Sequence, residues 1–241
     1  MAKIPDQPQD IFTPLTEDYL RAFGSDLVSL MLYGSAAGGS YVKGKSDINV
    51  LVVLTPDGIN NLEKALSLVK NWRKRSVAVP LVMTKAFIDS SLDSYPIEFL
   101  NMKNNSVLIY GENVLAGLTF QPQDLRLQIE RELKAKILLL REGYLESEGS
   151  VRFLRNLIGK SLTAFISIFN ALIFLKTGVV HHKKSETVKE MNKILQLNEE
   201  VFLSCFKIKE GTDKLSSAEV VSLFKEYVGE VEKICQSVDC L

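Results

Sequence analysis

Two hydrophobic rhythms run along the chain. As far as about residue 120, apolar residues gather in short blocks separated by Gly, Pro, Ser and charged positions. Residues 27–33 (LVSLMLY) and 48–54 (INVLVVL) are each seven residues long and almost wholly apolar, the pattern of strands buried on both faces. The first ends at Gly34 and the second at Thr55-Pro56-Asp57-Gly58, a turn sequence. Thr13-Pro14 opens a helix over 15–23, with proline where a first turn tolerates it. Residues 59–75 place Leu62, Ala65, Leu66 and Val69 on one stripe opposite a charged face, which predicts a helix. Further strands are predicted over 77–83, over 97–102 after Pro96, and over 107–110 before Gly111.

Beyond Gln123 the rhythm changes. No proline follows, no period-2 segment is visible, and helical periodicity spans 125–146, 151–176, 186–197 and 218–238. Ser216-Ser217-Ala218-Glu219 fits a capping box at the start of the last helix. The longest apolar stretch, 162–175 (LTAFISIFNALIFL), has 14 residues. At about 1.5 Å per residue it reaches roughly 21 Å, short of a ~30 Å hydrocarbon core, so it reads as a buried bundle helix and not a membrane span. The fold class expected is α+β: a mixed sheet flanked by helices over residues 1–121, then an all-α bundle of four or five helices over 122–241.

Composition adds exclusions. Of 241 residues, 46% are hydrophobic and 24% charged, which removes intrinsic disorder as a class. The 29 basic side chains balance 29 acidic ones, and the two halves carry 11 against 12 and 18 against 17. Neither half has the basic excess expected of a chain that binds nucleic acid mainly through its phosphates. Cys205, Cys235 and Cys240 have no metal spacing and form no even-numbered disulfide framework. With no signal-like stretch over residues 1–10, they read as reduced thiols of a cytoplasmic protein.

The segment rich in chemistry is 32–54. Tyr33-Gly34-Ser35 closes one strand, eleven residues intervene, and Asp47-Ile48-Asn49-Val50 opens the next. This arrangement resembles the signature of the DNA polymerase β superfamily of nucleotidyltransferases: a hydrophobic residue, Gly, Ser or Gly, about ten residues, then Asp-hydrophobic-Asp-hydrophobic. Within it the chain is similar to aminoglycoside adenylyltransferases and related small bacterial proteins, which also carry a helical C-terminal domain.

The resemblance implies Mg²⁺ and ATP, or another nucleoside triphosphate. Alternate strand positions share a face, so paired carboxylates there can hold cations against a triphosphate. Asp47 is then a metal ligand and catalytic carboxylate. Gly34, Ser35, Lys45 and Ser46 fall where nucleotide is bound, and Lys43 shares that loop. Glu98, on the strand predicted over 97–102, is the candidate third carboxylate. Asn49 departs from the pattern: an amide oxygen can ligate a cation but brings no charge.

Competing motifs fall away. Residues 39–46 (GSYVKGKS) match the P-loop spacing, but that motif needs a helix after it and a strand follows here. His181-His182 has no acid or Cys at metal spacing. Phe153, Phe165, Phe169 and Phe174 read as core packing.

Two functions remain. One is transfer of a nucleoside monophosphate, AMP from Mg-ATP, to a hydroxyl of a small molecule or protein. The other is a catalytically degenerate relative that binds a nucleotide or interacts with a protein, including a second copy of itself through the bundle. No nucleic-acid or membrane partner is expected.

Overall fold

A computed structural model describes residues 4–39, 41–44 and 46–239. The chain forms two compact units that divide between Phe120 and Gln121.

In the first unit, α1 (Phe12–Phe23) leads into β1 (Leu27–Tyr33), and a single 3-10 turn, Gly34–Ala36, follows the strand. Next come β2 (Asn49–Leu54), α2 (Pro56–Ile59), α3 (Leu66–Arg73) and β3 (Leu81–Met83). The unit closes with α4 (Lys85–Ser90), α5 (Pro96–Asn104) and β4 (Ser106–Gly111). The sheet order is β3-β2-β1-β4. β1 is antiparallel to both β2 and β4, while β2 and β3 are parallel.

Both faces of the two central strands are covered, as their unbroken apolar runs require. Leu30, Leu32, Val50, Val52 and Leu54 pack with Ile11, Leu15, Tyr19 and Phe23 of the α1 side and Trp72 of α3. Met31, Leu51 and Val53 point the other way, against Ile88 of α4 and Phe99 and Met102 of α5. This alternation sets the site, because Asn49 has the parity of Leu51 and so faces the α5 side.

Three expectations are corrected. Residues 97–102 are helical, not extended. Pro96 sits at the first helical position, and Asn101 and Asn104 bond back to the carbonyls of Ile97 and Leu100, both at 2.7 Å. A short apolar run has no periodicity of its own to separate strand from helix, and here packing on the sheet selects the helix. The long helix over 59–75 is instead α2, a 3-10 turn at Leu62–Ala65, and α3. The Thr55 hydroxyl caps α2 by accepting from the Gly58 amide at 3.1 Å. The strand over 77–83 is paired continuously only over Leu81–Met83, with Val77 making an isolated bridge to Ile48.

The second unit comprises α6 (Pro122–Glu146), α7 (Val151–Thr177), α8 (Lys184–Leu195), α9 (Glu199–Glu210) and α10 (Ser217–Asp239). The predicted capping box forms: the Ser216 amide donates to Glu219 Oε2 at 2.7 Å, and the Glu219 amide to Ser216 Oγ at 3.4 Å. α9 lies outside the predicted helices.

α7 is the central helix. Its 27 residues exceed the apolar run noted above and by length and composition suffice to cross a bilayer, yet 56% of its most apolar window is buried within the structure. Phe165 meets Tyr227 of α10, Phe169 meets Phe202 of α9, and Phe202 meets Tyr227, all three near-perpendicular with ring centroids 5.5–6.0 Å apart. Each such pair contributes about 0.5–1.5 kcal/mol beyond its buried area.

Candidate nucleotide site at the β1–β2 mouth

The site grows from the register of three strands. Tyr33, last residue of β1, lies opposite Asn49 of β2 on one side and Ser106 of β4 on the other. The chain turns sharply at Gly34, whose φ of +76° lies in the left-handed region that only glycine enters freely. Its amide donates to the Asn105 carbonyl at 3.0 Å, and its own carbonyl accepts from Ala37 at 3.1 Å and Gly38 at 3.0 Å. A Cβ at Gly34 would sit 3.4 Å from Asn49 Nδ2, and one at Gly38 would sit 3.3 Å from Asn105 Oδ1. Gly34, Asn49 and Asn105 are therefore one packed cluster.

Around it the predicted residues divide. Ser35 is exposed on the single 3-10 turn that follows β1. Asp47 is exposed two residues before Asn49, and its carboxylate has no hydrogen-bond or ion-pair partner among the described residues. Ser46 closes its own loop: its hydroxyl accepts from the Val42 amide at 3.0 Å and its amide donates to the Val42 carbonyl at 2.9 Å. Lys45 lies outside the described residues. Lys43 pairs with Asp6 at 2.5 Å, and that bond raises its pKa.

Glu98 does not lie on a neighbouring strand. It is exposed in the first turn of α5, whose other end meets Gly34 through Asn105. Seven residues at about 1.5 Å each put roughly 10 Å of helix between Glu98 and Asn105. The strand beside β1 at the mouth is β4, which begins with Ser106.

Asn105 is the residue that sequence reasoning missed. Its amide donates to the Asn101 carbonyl at 2.9 Å and its side-chain Nδ2 to the same carbonyl at 3.3 Å. It thus ends α5 and fixes Gly34 in one place. An Asn-Asn pair before an apolar strand is a helix-stop signal, but it shows only where a helix is already suspected.

The donor set decides what the mouth can hold. Among the described residues, none of the four strands carries Asp or Glu, and no cluster of three or more His, Cys, Asp or Glu side chains could hold a metal ion. Mg²⁺ sites pair one or two carboxylates with substrate phosphates. Asp47 supplies one carboxylate and Asn49 an uncharged oxygen, so these residues do not fit a two-cation centre.

No protein-family model matches the sequence, and no curated protein matches it either. Among solved structures, the chain is similar to a spectinomycin adenyltransferase from Enterococcus faecialis, determined with ATP and spectinomycin. The TM-score is 0.51 at 12% identity, covering 92% of this chain and 98% of that one. At that identity the likeness shows the fold: an α+β chain with a mixed four-stranded sheet, of the kind found in a nucleotidyltransferase.

Proposed function

We propose that this protein binds a nucleoside triphosphate, ATP or a close relative, at the mouth formed by Gly34, Ser35, residues 41–44 and Ser46-Asp47, and that binding rather than nucleotidyl transfer is its principal activity. The observation that carries this reading is Asn49. It stands in register with Tyr33 and against Gly34, and it puts an uncharged amide where the nucleotidyltransferase pattern places a charged ligand. Exposed Ser35 offers its hydroxyl to phosphate, Gly34 allows the backbone to approach closely, and Lys43 supplies positive charge. Asp47 remains as a ligand for at most one cation, with phosphate oxygens and water completing its shell.

Calorimetry with ATP in Mg²⁺ and in EDTA tests this. Saturable binding is expected in both, with affinities within about threefold, because one exposed carboxylate adds little charge attraction. Asn49→Asp should make binding Mg²⁺-dependent. No binding to any nucleoside triphosphate sinks the proposal.

A second reading is transfer of AMP from ATP to a hydroxyl of a small molecule or protein. It is favoured by the retained Asp47 and by the structural neighbour, an adenyltransferase determined with ATP and spectinomycin. Mg²⁺-dependent pyrophosphate release by the wild-type chain with a hydroxyl acceptor would establish that reading in place of the first.

A further inference from the structure

The residues ahead of α1 form a strap on the loop that borders the mouth. Tyr41 Oη donates to the Pro5 carbonyl at 2.9 Å, and Lys43 Nζ pairs with Asp6 Oδ1 at 2.5 Å. The strap is itself shaped: Asp10 Oδ2 accepts from the amides of Asp6 at 3.0 Å and Gln7 at 2.9 Å. Pro5, Pro8 and Ile11 are buried, and Ile11 joins the core under the sheet. Asp6 is thereby fixed with its carboxylate presented to the loop. Val42 and Ser46 exchange two hydrogen bonds, so Lys43 follows a residue tied to Ser46, directly before Asp47.

A carboxylate and a phosphate oxygen are rivals for the same ammonium group. We propose that Asp6 is an internal stand-in for phosphate on Lys43, so that the N-terminal strap gates the mouth. A polyphosphate must take Lys43 from Asp6 to engage it, and in its absence the ion pair keeps Lys43 from adventitious anions. Both partners are about half exposed, at 49% and 57% of their side-chain surface, so the exchange needs no unfolding of the loop. This rests on the nucleotide-binding reading only for the organic part of the ligand; the gate itself concerns the polyphosphate.

The probe is therefore inorganic tripolyphosphate, titrated calorimetrically into the full chain in EDTA at about 50 mM salt, where exposed charges are little screened. Wild type, Asp6→Asn, Lys43→Met and the double variant are compared. Asp6→Asn is expected to tighten binding about twofold to fivefold, the range an exposed ion pair commands, and Lys43→Met to weaken it. In the double variant the gain from Asp6→Asn disappears. Unchanged affinity in Asp6→Asn overturns the proposal, as does an equal gain in the Lys43→Met background or no tripolyphosphate binding at all. ATP measured in parallel separates the two readings. If tripolyphosphate behaves as expected while ATP and other nucleoside triphosphates do not bind, the gate stands and the nucleotide reading fails. If ATP binds and Asp6→Asn changes nothing, only the gate fails.

Discussion

Single residues in this protein are constrained by what lies within a few ångströms of them. Gly111 ends β4 with φ of +78°, and a Cβ there would lie 2.1 Å from the Val28 carbonyl oxygen, a backbone atom that cannot swing aside. Gly111→Ala should cost about 2–5 kcal/mol from strain and overpacking, lowering Tm by roughly 5–15 °C in a thermal melt. Gly34 has a similar φ but only an ordinary contact with an amide nitrogen, so its replacement should affect the mouth more than the fold. Burial pushes the Cys205 thiol up to about 12 and the Cys235 thiol up to about 11. Neither has appreciable thiolate at pH 8, so iodoacetamide should label neither site in the native protein and both in denaturant, as read by peptide mass spectrometry.

At the scale of elements, the bundle depends on how α7 meets its neighbours. Phe169 is fully buried against Phe202, and Phe169→Ala should cost about 3–5 kcal/mol in urea unfolding, through lost transfer energy and the cavity left behind. Tyr227→Phe keeps the ring and removes only the hydroxyl, which lies 3.1 Å from Ser161 Oγ. That change should cost about 0.5–1.5 kcal/mol.

Strands β1 and β2 were legible in the sequence because their apolar runs end in turn residues, and α6, α7 and α10 because their periods run for 23 or more residues. Residues 97–102 were not. Their apolar side chains serve equally a strand and a short helix lying on a sheet, and the choice depends on Met31, Leu51 and Val53 beneath Phe99 and Met102. That one error moved Glu98 from a strand edge to a helix start. Asn105, which fixes Gly34, went unseen for the same reason.

Across the whole molecule the charge balance is even at pH 7, and individual carboxylate pairs add to the positive charge that builds up in acid. Arg155 of α7 bonds to Asp213 and donates to the Leu215 carbonyl at 2.7 Å, tying α7 to the loop before α10. The hydrogen bond from Arg155 holds the Asp213 carboxyl below its ordinary value. A carboxylate depressed in the folded state contributes stability above its unfolded pKa, about 3.9, and that contribution is lost as pH falls through the lower folded value. Arg155→Met should therefore lower Tm at pH 7 and flatten the decline of Tm below about pH 4, so that the two melting curves converge in acid.

The sequence by itself determined the change of rhythm near Pro122, the central strands and the main helices, since periodicity is a local property of the chain. It also set the chemistry available at the mouth, one Asp and one Asn two residues apart. Tertiary structure alone decided which groups meet there. Register placed Asn49 and Ser106 on either side of Tyr33, packing turned residues 97–102 into a helix ending at Asn105, and Asp6 came to rest on Lys43 from 37 positions away. The reason is physical: short apolar runs and single polar residues carry no conformational preference strong enough to outweigh the sheet and core they pack against.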